Sequence, residues 1–316
     1  MNSQTQKHIN MKEFPFKEIS FSASGWLYIF QLGVLHYLQN HFHMKRAKVY
    51  GTSAGAIVGC SLCCDYDNLR LAAEVIQAKR IQSRDFTKMI ELAHAGCDRI
   101  CPTDAHIKCN ERLTIACTEI HNGVSMKAVT YNTYRHREDI VDILKATSFL
   151  PILGGFTPYE YNTKWLIDGV FTLPHQNPGN RSCLMVSHRR NCSCGCFKDP
   201  SRAIIPEFNI PKQFSIFPVS EEFLKLMFYH GYIVAYKFFN DSHIESKSLK
   251  TIDDLKNTSF EDVSKIHFDT AIKNQDLIRK ELEETIQKHD YIRYSSIVIC
   301  LGIIGIFCSY FLLKFL

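Results

Sequence analysis

The pentapeptide GTSAG at residues 51–55 constrains this chain more than any other feature, because it matches the G-x-S-x-G pattern of a strand-to-helix turn. A short strand-like run at residues 48–50 precedes it, and the small-residue segment AGAIVGCSL follows. Such a turn lifts the serine hydroxyl out of the backbone, while nearly absent side chains at Gly51 and Gly55 let the helix pack closely. Ser53 is therefore predicted to be a nucleophile on an elbow.

The position of this elbow near the start of the sequence excludes one common fold. In α/β-hydrolases several strands precede the elbow, and a loop after the third strand completes the oxyanion hole. Only about fifty residues precede Ser53, which is room for one βα unit and one further strand. The oxyanion loop is then expected in the turn after the first strand, from Ser22 to Gly25, where the next helix offers free N–H groups to negative charge.

Residues 14–240 alternate strand-like and helix-like runs, which predicts an α/β layered fold. Asn122 and Gly123 lie between two strand-like runs and indicate a hairpin. Further strands are expected at 19–21, 48–50, up to Ile167 and at 183–187, and helices at 26–39, 54–62, 137–146 and 220–239.

Composition excludes several classes of protein. A hydrophobic content of 46% with 22% charged residues is globular, and the net charge of +5 is scattered, so no nucleic-acid partner is expected. The N-terminal sequence MNSQTQKHIN has no apolar stretch for a signal peptide. The thirteen cysteines are accordingly expected to be reduced thiols in the cytosol.

An uncharged segment of nineteen residues, 295–313, lies between Arg293 and Lys314. At about 1.5 Å per residue it is long enough for a hydrocarbon core of about 30 Å. Basic and aromatic residues before it fit a cytosolic interface. We expect a single-pass C-terminal membrane anchor with the body of the protein in the cytosol; a buried core helix is the alternative.

The segment before this anchor mixes both charge signs and has apolar residues at roughly helical spacing. It is expected to form one or two amphipathic helices that pack on the body or act as a stalk. The predicted organisation is a tail at 1–13, the α/β domain at 14–240, the amphipathic helical linker at 241–294 and the anchor at 295–313.

In this order the motifs resemble the patatin-like phospholipase family, and within it the animal-type triglyceride lipase and adiponutrin group. The resemblance covers about residues 16–239 and rests on a glycine-containing loop before LGVLHYL, GTSAG, the hairpin, REDIVDILKATSFLPILGGF and WLIDG at 165–169. It implies a three-layer α/β/α fold, hydrolysis of lipid acyl esters, and a Ser-Asp dyad that needs no catalytic histidine, metal or cofactor.

Carried over by position, Ser53 corresponds to the nucleophile and Asp168 to the base, with Gly169 in the turn after the base. The oxyanion and substrate-binding loop corresponds to Ala23, Ser24, Gly25 and Trp26. The family's G-x-G-x-x-G keeps only its middle glycine here, because Ala23 and Tyr28 occupy the outer positions. An alanine at the first position adds a methyl group and restricts φ.

The resemblance implies a tail-anchored acyl hydrolase whose substrates are membrane lipids or acylglycerols. The altered loop motivates an alternative, a catalytically weak member that binds lipid or a protein partner at the membrane.

Two further patterns leave alternatives open. Four histidines follow Asp168 in the order of a Ser-Asp-His triad, although a core or surface role is favoured for each: His175, His188, His230 and His243. Cys192, Cys194 and Cys196 have a spacing compatible with a soft metal, but a reduced surface loop is favoured because no second ligand pair accompanies them.

Overall fold

The computed structural model describes residues 11–82, 88–121, 125–179, 182–190, 199–217, 220–240, 252–263 and 265–290. These residues form a mixed α/β fold with a central sheet. The strands are β1 (Lys12–Glu13), β2 (Glu18–Phe21), β3 (Phe42–His43), β4 (Lys48–Thr52), β5 (Leu113–His121), β6 (Ser125–Tyr131), β7 (Tyr159–Tyr161), β8 (Lys164–Asp168), β9 (Cys183–Val186) and β10 (Ala203–Ile204).

Ten α-helices accompany the strands in the described ranges. They are α1 (Tyr28–His41), α2 (Ala54–Cys63), α3 (Asn68–Gln82), α4 (Met89–Ile100), α5 (Ala105–Cys109), α6 (Arg137–Thr147), α7 (Glu221–Phe239), α8 (Asp253–Asn257), α9 (Lys265–Lys273) and α10 (Gln275–Asp290). The strands and helices expected from the sequence are present with shifts of a few residues at their ends. Helices α3, α4 and α5 were not predicted.

The large sheet has the strand order β10-β9-β2-β4-β5-β8-β7, with β6 paired to β5 as well. Its strands from β10 to β5 are parallel, whereas β6 and β8 run antiparallel to β5. All four residues of β2 and of β9 are buried, as is typical of strands inside a parallel sheet.

Strand β5 brings the ends of two other strands together. Its residues Leu113–Ala116 pair with β4, and Cys117–Ile120 pair with β8 in the opposite direction. Strand β6 pairs with residues 115–121 along one edge of β5, so β4 and β8 both lie along the opposite edge. The turn that follows Thr52 and the last residue of β8 therefore lie next to each other in the middle of the sheet.

Helix α2 packs on β2, β4 and β5, and α1 packs on α2, α3 and α7. Two glycines allow α1 and α7 to approach closely. A Cβ at Gly33 of α1 would overlap the carbonyl of Phe228, and a Cβ at Gly231 of α7 would overlap the carbonyl of Phe30. The hydrophobic core is continuous through these layers.

The amphipathic segment packs on the body and does not project as a stalk. Helices α8, α9 and α10 contact α7, and Ile278 and Leu282 of α10 are fully buried. Phe268 of α9 lies 4.4 Å from the ring of Tyr232. Part of the apolar stripe seen in the sequence thus packs against the body, where burial stabilises the helices, whereas Ile266 and Leu277 are exposed.

No helix within the described ranges is long and apolar enough to cross a membrane. The predicted anchor, residues 295–313, lies outside the described residues, and so does most of the predicted N-terminal tail.

Candidate active site

Ser53 occupies the turn between β4 and α2, as the G-x-S-x-G pattern predicts. Its backbone has φ 56° and ψ −134°, a combination that is costly for a residue with a side chain. The N–H of Ser53 donates to Thr147 Oγ1 at 2.9 Å, and its carbonyl accepts from the N–H of Ala56 at 2.8 Å. These bonds hold the strained turn in place.

Gly51 and Gly55 are required by close backbone contacts around this turn. A Cβ at Gly51 would lie 2.5 Å from Ala56 Cα, and a Cβ at Gly55 would lie 2.5 Å from the carbonyl oxygen of Phe21. The first α-helical turn after Ser53 therefore rests directly on the ends of β2 and β4, as predicted for the two glycines.

Asp168 ends β8 and lies beside Ser53. Ser53 Oγ donates a hydrogen bond to Asp168 Oδ2 at 2.6 Å. The other carboxyl oxygen, Oδ1, accepts from the N–H of Val170 at 2.8 Å. A glycine is required at position 169, between Asp168 and Val170, because a Cβ there would lie 2.5 Å from the carbonyl oxygen of Ala116.

The environment of Asp168 favours its protonated form. The residue is 1% exposed, and this burial raises its pKa to about 7, while the hydrogen bonds from Ser53 and from the N–H of Val170 lower the pKa in part. A carboxylate with a pKa near 7 is a much stronger base than an ordinary aspartate, and it still ionises in the neutral range.

The loop before α1 lies next to this pair. Gly25 has φ +49°, and a Cβ there would overlap the carbonyl of Ser215, so the middle glycine of the motif is required for two reasons. Gly25 and Trp26 line the same cavity as Ser53 and Asp168. The N–H of Ala23, however, donates to the carbonyl oxygen of Pro174 at 2.8 Å. The Ala23 amide thus supports the loop, and of the four predicted oxyanion residues Gly25 and Trp26 line the cavity.

Replacing Ala23 by glycine should leave kcat/KM within about threefold of the wild-type value. The residue is not among the described residues with positive φ, so the alanine methyl imposes no strain, and its amide already has an acceptor. Steady-state kinetics on a soluble ester checks this. An increase of about 100-fold, the contribution expected of one oxyanion donor, would show instead that the alanine impairs the loop.

Thr147 supports the elbow and was not predicted. It is fully buried at the end of α6, accepts from the N–H of Ser53 and donates to the carbonyl oxygen of Ala116 in β5. Gln176 supports the elbow in a similar way, because its amide nitrogen donates to the carbonyl oxygens of Gly51 at 2.7 Å and Thr114 at 3.0 Å. Thr147 lies in the segment REDIVDILKATSFLPILGGF that carries part of the resemblance, but its role there was not predicted, and Gln176 belongs to none of the quoted motifs.

The pair of Ser53 and Asp168 opens into a cavity of about 100 Å³. Most of its wall is apolar and comes from α2, α3, α4 and the segment after α6: Ile57, Leu71, Val75, Ile90, Ala93 and Leu150. Arg99 and Glu74 form an ion pair of 3.0 Å in the wall, and Ser148 adds a buried hydroxyl that has no hydrogen-bond partner among the described residues. An apolar wall with a few polar groups is typical of sites for small apolar ligands.

The described histidines do not complete a triad. His175 Nε2 lies 3.4 Å from the carbonyl oxygen of Ser20, His188 Nε2 contacts Ser215, and His230 packs between Phe30 and Phe208. In the part of the chain that the structure describes, Ser53 Oγ has one hydrogen-bond partner, Asp168. His243 and the cysteines at 192, 194 and 196 lie outside the described residues.

Comparison with known proteins supports the resemblance found in the sequence. A family model described as patatin-like phospholipase matches residues 19–105, which include the loop before α1 and the elbow. Human patatin-like phospholipase domain-containing protein 4 is 30% identical over 178 residues, covering 52% of this chain and 66% of the human protein.

Mouse omega-hydroxyceramide transacylase is 24% identical over 260 residues, covering 74% of this chain and 43% of the mouse protein. Among solved structures, VipD from Legionella pneumophila aligns with a TM-score of 0.39 and 12% identity over 71% of this chain and 67% of that chain. The chain spans less than two thirds of the length of both curated relatives. The family model and these curated relatives support the patatin-like phospholipase family for this chain.

Proposed function

We propose that this protein hydrolyses acyl esters of lipids, as a phospholipase A or an acylglycerol lipase, with Ser53 as nucleophile and Asp168 as base. The observation that carries the proposal is the hydrogen bond of 2.6 Å from Ser53 Oγ to Asp168 Oδ2, at the base of a largely apolar cavity. A nucleophile in contact with its base, on a strained turn, is the arrangement expected of covalent catalysis.

The first half of the reaction forms an acyl-enzyme. Ser53 Oγ attacks the ester carbonyl carbon while its proton passes to Asp168 Oδ2, and the carbonyl electron pair moves onto oxygen. The N–H groups of Gly25 and Trp26 are the donors we assign to that oxyanion. When the tetrahedral intermediate collapses, the bond to the leaving alcohol breaks and Asp168 returns the proton to the alcohol oxygen.

The second half releases the acyl group. Asp168 takes a proton from water as the water oxygen attacks the acyl carbon, and Ser53 leaves with that proton restored. An alcohol in place of water would give acyl transfer by the same steps, and the name of the mouse transacylase makes this outcome worth measuring. Product analysis distinguishes hydrolysis from transfer.

The direct test is to incubate the purified full chain with phosphatidylcholine vesicles and, separately, with a triacylglycerol emulsion. Hydrolysis should release free fatty acid detectable by mass spectrometry, and the Ser53→Ala variant should release none above background. Formation of new esters from an added long-chain alcohol would assign the protein as a transacylase. No product from either substrate, with the fold intact, would favour the alternative of a lipid- or partner-binding module.

The proposed enzyme acts at a membrane surface. We propose that residues 295–313 form a single-pass anchor, that the catalytic domain faces the cytosol, and that the domain has the family's three-layer α/β/α arrangement. The support for the anchor is the uncharged length of that segment. An anchor would keep the cavity close to lipid substrate.

Deleting residues 295–316 should release a soluble protein that still hydrolyses a short-chain ester at a rate similar to that of the full chain. The reason is that Ser53 and Asp168 lie far from this segment in sequence and that their described hydrogen-bond partners lie between residues 53 and 170. Flotation with liposomes and ester kinetics measure the two effects. Aggregation of the truncated chain would show instead that the segment is a core helix.

A further inference from the structure

Four buried cysteines from three separate stretches of chain meet at the end of α2 opposite the elbow. Cys60 lies in the last turns of α2, Cys64 directly follows that helix, Cys101 follows α4, and Cys109 ends α5. We call these four residues the cysteine cluster. None is more than 7% exposed, and none takes part in the chemistry of Ser53.

The sulfur atoms of the cysteine cluster are close to one another. Cys60 Sγ lies 3.9 Å from Cys64 Sγ and 3.6 Å from Cys101 Sγ, and Cys64 Sγ lies 3.8 Å from Cys109 Sγ. The Sγ atoms of Cys60, Cys64 and Cys109 all lie within 4.8 Å of one another. They are free thiols.

The separations of Cys60 from Cys64, Cys64 from Cys109 and Cys60 from Cys101 match the edges of a tetrahedral thiolate site. With zinc-sulfur bonds of about 2.3 Å, two sulfurs of a tetrahedron are about 3.8 Å apart. Cysteines at positions i and i+4 of a helix point to one side of it, and Cys109 and Cys101 approach that side from other elements. Thiolate-rich tetrahedral sites favour zinc and other soft metals over calcium or magnesium.

Two arginines bind backbone carbonyls at or next to the cysteine cluster. Arg112 donates to the carbonyl oxygen of Cys63 at 3.2 Å, and Arg137 donates to the carbonyl oxygen of Cys101 at 2.8 Å. Arg137 thus binds the backbone of one cysteine of the cluster, and Arg112 binds the backbone of the residue before another. Such partners orient metal ligands and offset the negative charge of bound thiolates.

We propose that the cysteine cluster binds one Zn²⁺ ion, with Cys60, Cys64 and Cys109 as ligands, and that the Cys101 side chain, whose Sγ already lies 3.6 Å from Cys60 Sγ, moves closer to the other two sulfurs to become the fourth. On binding, each thiol releases its proton to solvent and forms a sulfur-zinc bond, so four thiolates and one Zn²⁺ give a net charge of −2. Because all four positions are filled by protein, the ion has a structural role. It ties the end of α4, whose residues Ile90 and Ala93 line the cavity, to the helix that carries the elbow.

The test is the metal content of the full chain, purified in mild detergent under reducing conditions and measured by inductively coupled plasma mass spectrometry. We expect about one zinc per chain. A Cys60→Ser/Cys109→Ser variant should lose most of it. Two controls should retain it: Cys183→Ser, which replaces a buried cysteine of β9, and the triple variant Cys192→Ser/Cys194→Ser/Cys196→Ser.

A second measurement on the wild-type chain does not depend on whether the variants fold. X-ray absorption at the zinc edge should show four sulfur ligands at about 2.3 Å, and removing the metal with a chelator should lower the Tm by about 5 °C or more.

Three results would overturn the proposal. The first is a folded, reduced chain that holds no zinc even after reconstitution. The second is zinc bound mainly by nitrogen or oxygen, or a different metal in its place. The third is loss of zinc only from the variant at 192, 194 and 196.

Discussion

Replacing Ser53 by alanine or Asp168 by asparagine should each lower kcat/KM by at least about 10⁴-fold, with the fold retained. Without Ser53 the acyl group has no nucleophile to bind. Without the carboxylate of Asp168 the hydroxyl proton has no acceptor, because the described partner of Ser53 Oγ is this one residue. Ester kinetics with circular dichroism as the folding control measures both.

The double variant should be no less active than either single variant, since two residues that act in one proton transfer lose their effect together. Matched controls are His175→Gln, His188→Gln and His230→Gln, which replace buried histidines outside this hydrogen bond. Each should keep most of the activity. A folded histidine variant as inactive as Ser53→Ala would require a triad in place of the dyad.

The activity should rise with pH through a single ionisation near pH 7. Burial raises the pKa of Asp168 to about 7, and only its ionised form accepts the proton of Ser53. At pH 5, two units below that pKa, kcat/KM should be about 100-fold below its plateau. Kinetics from pH 5 to 8.5, with folding monitored at each pH, tests this, and a flat profile would contradict the role of Asp168 as base.

The same pKa fixes the sign of a stability effect. Because the folded-state pKa of Asp168 is raised from 3.8 to about 7, the neutral carboxyl favours the fold below about pH 4, and this contribution is lost as the pH rises through 7. Asp168→Asn should therefore gain stability relative to wild type between pH 4 and pH 8, by up to about 1.4 kcal/mol for each unit of pKa shift. Denaturant unfolding at the two pH values measures the difference.

The sequence predicts the elbow well because its requirements are local. Glycines flank a serine between a strand and a helix, and the structure explains each glycine by one backbone contact. Asp168 is also identified by local features, an apolar strand and a following glycine. That it lies beside Ser53 depends on β4 and β8 sharing one edge of β5, which the sequence does not show.

The hydrogen bonds that support the elbow and the loop before α1, and the shape of the cavity, depend on contacts between residues that are distant in sequence. Nothing in the sequence marks Thr147 as the acceptor of the Ser53 amide. The acceptor of the Ala23 amide, the carbonyl of Pro174, is about 150 residues away from Ala23 along the chain. Helices α3 and α4 were missed although they form much of the cavity wall. In the cysteine cluster only the spacing of Cys60 and Cys64 is visible in the sequence, because Cys101 and Cys109 reach it through tertiary folding.

The most direct test of the dyad is covalent labelling of the folded protein with a fluorophosphonate probe, followed by peptide mass spectrometry. A serine reacts with this probe only when its hydroxyl is activated. We predict one labelled site, Ser53, with labelling lost in Ser53→Ala and strongly reduced in Asp168→Asn. Absence of labelling in the folded wild-type chain, or labelling of a different serine, would contradict the assignment of Ser53 and Asp168 as the catalytic pair.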